Sequence, residues 1–310
     1  MVNVLFAAEA ERWAEYELPL RSAFRDSGID VTLSTEHDPV EVDYIVYAPN
    51  GPVTDFTPYT KLKAVLSLWA GVETMVGNST ITAPLCRMVD HGLTESMVEW
   101  VTGHTLRYHL GIDQFLTQQD GNWRLGFAAP LARDRKVCIL GMGALGAACG
   151  QALAALNFDV HGWARRAKQV DGVTCHHGGS GLDAAIEGAD IVALLLPDTP
   201  ETENVLDAER MALMARGGYV LNPGRGPLID DEALIAALDS GQLAHATLDV
   251  FRIEPLPATH PFWAHPLVTV TPHIAAETKA TTASQVIARN VVRGEAGKPF
   301  LHVVDRAAGY

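Results

Sequence analysis

The sequence has few basic residues and no long apolar run. Its 310 residues include 23 Lys and Arg against 37 Asp and Glu, which gives a formal charge of −14. An acidic chain repels phosphate backbones, so we expect no nucleic-acid partner. Since no apolar run reaches the roughly 18 residues of a membrane-spanning helix, we also expect no membrane partner.

Cysteine is scarce, with four residues at positions 86, 138, 149 and 175 and no CxxC pair. Cys138 and Cys149 lie in apolar strand and helix patterns, where a buried, unreactive thiol is expected. Neither a disulfide framework nor a metal site is indicated, and the Gly-rich run around Cys175, His176 and His177 predicts a surface loop. The start, MVNVLFAAEAER, has no basic segment before its apolar residues, so we expect a first strand, no signal peptide and a cytoplasmic protein.

Short β-rich runs alternate with helical patterns, which predicts parallel sheets with crossover helices. The first set of strands is predicted at residues 2–6, 31–34, 44–47, 64–68 and 87–89, and the second at 137–140, 160–163, 191–196, 219–221, 246–248 and 268–270. A single helix from Thr94, its N-cap, to Gln119 links the two sets.

The predicted fold is α/β. Residues 99–275 are expected to form a dinucleotide-binding domain, a Rossmann-type doubly wound parallel sheet. Residues 1–98 and 276–310 are expected to form a smaller flavodoxin-like α/β substrate domain, to which the C-terminal tail returns.

The run VCILGMGALG places Gly141, Gly143 and Gly146 directly after a buried-type strand and before a helix. In such a turn the first glycine permits the tight bend, the second lets the backbone approach a pyrophosphate, and the third allows close helix packing. Amides at the start of the helix, from Ala144 and Leu145 onward, can bind the phosphates. This context predicts a dinucleotide site rather than an empty turn.

The turn after the second strand of this domain lacks the acidic residue that binds the ribose of NAD. It reads NFDVHGWARRAK, with Ala164 in the place of the acid and Arg165 and Arg166 after it. No carboxylate is left to repel a 2′-phosphate, and two guanidinium groups can bind one. The turn therefore predicts NADPH (NADP) rather than NADH, against the alternative of a solvated basic turn.

Three later segments carry side chains suited to the reduction of a keto acid. Arg225, Glu254 and His273 all follow carboxyl ends of predicted strands, the edge at which open α/β sheets bind ligands. Arg225 can bind a substrate carboxylate and polarise the ketone. His273 can donate a proton to the carbonyl oxygen, and Glu254 can stabilise the cationic imidazole.

These segments resemble the D-isomer-specific 2-hydroxyacid dehydrogenase family, and within it the branch that reduces glyoxylate and hydroxypyruvate. The resemblance covers nearly the whole chain and rests on GMGALG, LLLPDTPETENVLD, NPGRGPLID, LDVFRIEPLP, TPHIAA and VVDRAAGY. It implies an oxidoreductase of small 2-keto and 2-hydroxy acids in which Arg225, Glu254 and His273 are catalytic. It also implies a homodimer formed through the cofactor domains.

The same resemblance implies further contacts. Those with the cofactor are expected from Trp163, Leu196, Pro197, Thr202, Asn222, Gly224, Asp249 and Ala275. The run SLWAGVET matches the family loop whose amides hold the substrate carboxylate, which implicates Ala70, Gly71 and Val72.

Two alternatives stay open. A dinucleotide-sensing corepressor has this fold and much of this site, and would bind the cofactor without turning over a keto acid. A D-2-hydroxyacid dehydrogenase for a larger keto acid would differ in pocket width, which depends on loop positions that the sequence does not set.

Overall fold

The computed structural model describes residues 1–124, 128–307 and 309, and the chain divides into two compact units. The smaller unit comprises Met1–Leu93 and Thr278–Tyr310, and the larger comprises Thr94–Glu277. The boundaries predicted from the sequence lie at 98/99 and 275/276, a few residues away. The C-terminal segment belongs to the same unit as the N-terminal residues, and Val303 pairs with Cys86 in an antiparallel bridge.

The smaller unit is built on a five-stranded parallel sheet. Its elements are β1 (Val2–Ala7), α1 (Ala10–Asp26), β2 (Val31–Ser34), β3 (Tyr44–Tyr47), β4 (Ala64–Ser67), α2 (Glu73–Val76), β5 (Leu85–Cys86) and α9 (Ala280–Glu295). The strand order β2-β1-β3-β4-β5 is the flavodoxin-like order, as predicted. Apolar side chains are buried on both faces of the sheet, which is typical of parallel strands covered by helices.

The larger unit is built on a seven-stranded parallel sheet. Its strands are β6 (Lys136–Leu140), β7 (Asp159–Ala164), β8 (Thr174–His177), β9 (Ile191–Leu194), β10 (Gly218–Asn222), β11 (Leu243–Leu248) and β12 (Val268–Val270). Its helices are α3 (His91–His109, whose first residues belong to the smaller unit), α4 (Ile112–Thr117), α5 (Ala144–Ala155), α6 (Gly178–Ile186), α7 (Ala208–Leu213) and α8 (Asp231–Asp239).

The order of the larger sheet is β12-β11-β10-β9-β6-β7-β8, so the direction of winding reverses between β6 and β9. This reversal is the switch point of a doubly wound sheet, where such folds bind ligands at the carboxyl ends of the strands. The predicted Rossmann-type fold is confirmed. Asn157, after α5, has φ of 69°, a left-handed conformation that asparagine tolerates.

The prediction of a single helix over residues 94–119 is wrong, because two helices, α3 and α4, lie there. Gly111 adopts a left-handed conformation with φ of 62°, which separates α3 from α4. Thr94 is also not the N-cap, because α3 begins at His91. The amide of Leu93 donates instead to the Asp90 carboxylate at 3.2 Å.

Two strand predictions also need correction. The Gly-rich surface loop expected around Cys175 is the edge strand β8, which pairs in parallel with β7 and sets His176 opposite Trp163. An edge strand needs only one partner and little apolar surface, so its sequence carries a weak signal. The strand predicted at residues 87–89 is β5, at Leu85–Cys86. Within the described part of the chain, no helix is long and apolar enough to cross a membrane.

Candidate active site

The glycine loop after β6 is packed more closely than a Cβ atom would allow. Gly141 has φ of 112°, and a Cβ there would lie 2.4 Å from the Leu195 carbonyl oxygen. A Cβ on Gly146 would lie 1.9 Å from the Gly141 oxygen, so α5 packs directly on the turn. Among the described residues, no atom lies within 4 Å of a Cβ built on Gly143. The loop is thus open above the first-turn amides of α5, which lack intrahelical acceptors, and this arrangement fits a pyrophosphate.

The carboxyl end of β7 supports this loop through its backbone. The Trp163 carbonyl oxygen accepts from the amides of Gly141 and Met142 at 2.9 and 3.1 Å. The indole of Trp163 donates to the Gly178 carbonyl oxygen at 2.8 Å, on the side of α6. Trp163, expected to contact the cofactor, therefore holds the glycine loop by its main chain and α6 by its side chain.

Arg165 and Arg166 lie exposed directly after β7, which ends at Ala164. Hydrogen bonds from its own amide and from Thr199 hold the pKa of Glu201 below its ordinary value, and the charge of Arg165 contributes to the same effect. Arg165 is therefore close to the loop after β9, which the sequence also assigned to the cofactor.

Lys168 is a third cation of this turn that the sequence reasoning missed. Its Nζ donates to the Met142 carbonyl oxygen in the glycine loop at 2.7 Å. The run WARRAK contained the signal, since Lys168 follows the two arginines closely. The hydrogen bond ties the basic turn to the loop that faces the pyrophosphate in this fold.

The loop after β9 contains the predicted cofactor contacts Leu196, Pro197 and Thr202. The Thr202 hydroxyl donates to the Pro197 carbonyl oxygen at 2.7 Å and accepts from the Thr199 amide at 2.9 Å. Thr202 is buried, so its hydroxyl shapes this turn from inside. The turn begins beside Gly141, because the Leu195 carbonyl packs against that glycine.

The loop after β10 carries Arg225 and is held by the buried side chain of Asn222. The Asn222 amide group donates to the Arg225 carbonyl oxygen at 2.9 Å, and its side-chain oxygen accepts from the Gly224 amide at 3.2 Å. The Arg225 guanidinium donates to the Gly224 carbonyl oxygen at 2.6 Å and is half-buried. A Cβ on Gly224 would lie 2.7 Å from the Leu194 oxygen, so the loop lies against β9.

Asp249, directly after β11, organises the segment that carries His273. Its buried carboxylate accepts from the Thr271 hydroxyl at 2.5 Å and from the amides of Ile274 and Ala275 at 2.9 and 2.8 Å. His273 lies between them with φ of 55°. The sequence assigned Asp249 and Ala275 to the cofactor. In the structure, the Asp249 side chain binds the backbone around His273, and the Ala275 amide is one of the groups that it binds.

Glu254 and His273 form the expected pair. The His273 Nδ1 lies 2.7 Å from Glu254 Oε2, and the Phe251 amide donates to Glu254 Oε1 at 2.9 Å. Burial favours the neutral Glu254 acid, but the hydrogen bonds from His273 and Phe251 and the charges of His273 and Arg225 outweigh it. The pKa of Glu254 is therefore held below its ordinary value. A carboxylate on Nδ1 leaves Nε2 for a substrate.

The predicted substrate loop lies in the smaller unit, after β4. The Ser67 hydroxyl is buried, accepts from the Trp69 amide at 2.9 Å and donates to the Trp69 carbonyl oxygen at 3.1 Å. Ala70 and Gly71 are half-buried, and Val72 is buried at the start of α2. These contacts hold a short non-helical turn of small residues.

Three of the four cysteines are shielded from solvent in this fold. Cys86, Cys138 and Cys149 are buried, and burial raises the pKa of each thiol to about 12. Among the residues that the structure describes, no group of three His, Cys, Asp or Glu side chains is arranged to hold a metal ion.

A glycine loop at the switch point of a doubly wound sheet, with Arg225 and the Glu254–His273 pair on loops at the same edge, defines a nicotinamide-dependent dehydrogenase. The chain belongs to the D-isomer specific 2-hydroxyacid dehydrogenase family. A model of the NAD binding domain of that family matches residues 104–275. The family resemblance stated from the sequence is confirmed.

Relatives agree over most of the chain. Glyoxylate/hydroxypyruvate reductase A of Serratia proteamaculans is 41% identical over 259 residues, covering 81% of this chain and 82% of that protein. A D-isomer specific 2-hydroxyacid dehydrogenase from Xanthobacter autotrophicus Py2, solved with NADPH and MES, has a TM-score of 0.91 and 38% identity, covering 100% of this chain and 99% of that one. An NADPH-dependent glyoxylate/hydroxypyruvate reductase from Sinorhizobium meliloti, solved with NADP and sulfate, has a TM-score of 0.88 and 33% identity, covering 100% of both chains.

Proposed function

We propose that this protein is an NADPH-dependent reductase of small 2-keto acids, which converts glyoxylate to glycolate and hydroxypyruvate to D-glycerate. The observation that carries the proposal is the 2.7 Å contact between His273 and Glu254 at the sheet edge that also holds the Arg225 loop. The names of the relatives support the substrate class, since two of them are glyoxylate/hydroxypyruvate reductases.

The chemistry requires a hydride, a proton and a fixed substrate, and NADPH when bound supplies the hydride to the keto carbon. Arg225 binds the substrate carboxylate and polarises the ketone. His273 donates a proton from Nε2 to the carbonyl oxygen, and Glu254 on Nδ1 stabilises the imidazolium before the transfer. Because the His273 side chain is 52% exposed, solvent can return the proton after each turnover.

The turn of small residues formed by Ala70, Gly71 and Val72 is the second proposed element of substrate binding. Its backbone amides hold the substrate carboxylate. Backbone donors suit a small acid, because they bind a carboxylate without long side chains that would fill the space of the substrate.

NADPH rather than NADH is the proposed cofactor. Arg165 and Arg166 bind the 2′-phosphate, and Ala164 offers no acceptor to the 2′-hydroxyl of NADH. The relatives solved with NADPH or NADP support this choice. The remaining predicted cofactor residues complete the proposed binding site.

The proposed assembly is a homodimer. Large apolar side chains are exposed along one segment of the larger unit, namely Leu110, Ile112, Phe115, Leu116, Trp123 and Leu131. Such exposure is typical of a protein interface. Sedimentation should give a dimer at micromolar concentration, and a monomer would contradict the proposal.

The decisive experiment is a steady-state panel of glyoxylate, hydroxypyruvate, pyruvate and larger 2-keto acids, each with NADPH and with NADH. We expect the highest kcat/KM for glyoxylate and hydroxypyruvate, each with NADPH. Tight NADPH binding without turnover of any keto acid would favour the corepressor alternative. Preference for a bulky keto acid would favour the alternative of a dehydrogenase for larger substrates.

A further inference from the structure

Arg252 lies in the turn that carries Glu254, and its guanidinium reaches two other loops of the same sheet edge. Its Nη2 donates to the Ile229 carbonyl oxygen at 2.6 Å and to the Asn204 side-chain oxygen. The Pro227 carbonyl oxygen lies 3.5 Å from the same nitrogen. One side chain therefore joins the loop after β11 to the loops after β9 and β10.

The other guanidinium nitrogens face acidic side chains. Nη1 lies 3.6 Å from Glu203, and Nε lies 3.8 Å from Asp231, which in turn lies 3.8 Å from the His260 ring. Each of these contacts is long and partly exposed, so their contribution is small. The specific part of the interaction is the set of hydrogen bonds from Nη2 to carbonyl and amide oxygens, which joins the three loops.

The backbone packs the same loops together. A Cβ on Gly226 would lie 2.0 Å from the Phe251 carbonyl carbon and 2.3 Å from the Arg252 nitrogen, so the residue after Arg225 rests on the Glu254 turn. The Asn204 amide also donates to the Pro227 carbonyl oxygen at 2.8 Å. The Arg252 side chain adds its hydrogen bonds to this backbone contact between the loops.

The Glu254 carboxylate is bound within the turn that contains Arg252. The Phe251 amide donates to one oxygen of the Glu254 carboxylate at 2.9 Å, and Arg252 lies between these two residues in the chain. The other oxygen of that carboxylate contacts the His273 ring. Movement at Arg252 therefore shifts both the carboxylate and the imidazole that it orients.

We propose that Arg252 is a positioning residue, which holds the Glu254 turn, and through it His273, in register with Arg225. This inference rests on the proposed function, in which those three side chains act on one substrate. Arg252 does not contact the substrate; it acts by fixing the separation of the loops that do.

Arg210 provides a matched control in the same unit. Its side chain is 29% exposed, against 32% for Arg252. It bonds Asp183 at 3.0 Å, Asp207 at 3.1 Å and the Val205 carbonyl oxygen at 3.2 Å. The variants R252M and R210M therefore remove comparable contacts, but only the first loosens the Glu254 turn.

Three quantities are measured for wild type and both variants: kcat and KM for glyoxylate, Kd for NADPH by fluorescence titration, and amide hydrogen exchange over residues 251–254. We expect R252M to lower kcat by about 10–100-fold, the effect of a displacement of about 1 Å at a reacting group. Its Kd for NADPH should stay within about twofold of wild type, and exchange over residues 251–254 should rise. R210M should lose thermal stability without these changes.

Equal losses of kcat in R252M and R210M would overturn the inference, since Arg252 would then be merely structural. Unchanged kcat and unchanged amide exchange in R252M would also overturn it. Failure of the wild type to reduce any keto acid is a different result: it removes the proposed function, and unchanged exchange in R252M would still reject the role of Arg252 in holding the turn.

Discussion

The two sheets begin in the same way and differ in the turn that follows the first strand. In the smaller unit, β1 leads into α1 through Ala8 and Glu9, and Glu11 adds a second carboxylate in the first turn. In the larger unit, β6 leads into α5 through Gly141 and Gly143, and the first turn of α5 has no acidic residue. Both helices offer amides and a positive dipole end at the carboxyl edge of a parallel sheet.

The contrast shows that the fold provides the helix end and the turn decides whether an anion can use it. At α1, carboxylates already satisfy the dipole and would repel a phosphate. At α5, the glycines have no Cβ atoms, so the backbone can approach a pyrophosphate. The negative charge at this helix end would then come from the ligand. Four variants test or sharpen this contrast.

The largest effect is expected where the larger sheet carries its chemistry. His273→Gln removes the proton donor and should lower kcat by about 10²–10⁴, the usual range for general acid catalysis, with unchanged Kd for NADPH. His265→Gln is the control, because His265 lies 3.3 Å from Asp239 in another imidazole–carboxylate pair of the same unit. Equal kcat values for His273→Gln and wild type would exclude His273 as the proton donor.

The next effect concerns cofactor choice at the end of β7. Hydrogen bonds to charged groups contribute about 1.5–3 kcal/mol each. Two such bonds from Arg165 and Arg166, trimmed by solvent screening, should favour NADPH over NADH by about 10²-fold in kcat/KM. The double variant Ala164→Asp, Arg165→Ala should reverse this preference, because it restores an acceptor for the 2′-hydroxyl and removes a phosphate ligand. Equal kcat/KM of the wild type with NADPH and NADH would show that the two arginines belong to a solvated turn and do not bind the 2′-phosphate.

A smaller effect should follow from giving α5 the charge of α1. Ala144 is the exposed first residue of α5, and Ala144→Glu places a carboxylate beside the pyrophosphate site. Kd for NADPH should rise by about tenfold, which corresponds to a screened repulsion of about 1.4 kcal/mol. The new carboxylate itself should stabilise the N-terminus of α5, so the helix should remain folded. Glu11→Gln in α1 is the reciprocal control and should leave Kd unchanged. A normal Kd in Ala144→Glu would place the pyrophosphate elsewhere.

The smallest change is expected in the pH profile of Glu254→Gln. Because the pKa of Glu254 is held low, its carboxylate is charged throughout the assay range and stabilises the imidazolium form of His273. The variant should therefore lose its proton donor at lower pH, so the alkaline limb of kcat should move to lower pH. Asp239→Asn, beside His265, should not move that limb. An unmoved limb in Glu254→Gln would remove Glu254 from the mechanism.

Patterns within a few residues predicted much of the fold and part of the site. The glycine turn, the missing acid at Ala164 and the positions of Arg225 and His273 after strands are local features, and the structure places them where the patterns indicate. The helix break at Gly111 was missed because an isolated glycine also occurs inside helices. Strand β8 was missed because one partner strand, rather than an apolar run, stabilises it.

Apart from β8 and the break at Gly111, the sequence by itself determined the alternation of strands and helices, the glycine turn and the side chains at the strand ends. Each of these depends on neighbours in the chain and on the few allowed backbone conformations. The tertiary structure alone decided that Lys168 reaches Met142, that Asp249 binds the backbone around His273 and that Arg252 joins three loops. These contacts join residues between 23 and 48 positions apart. Their formation depends on which strands become neighbours and on the direction of each side chain, and no local pattern of residues encodes either.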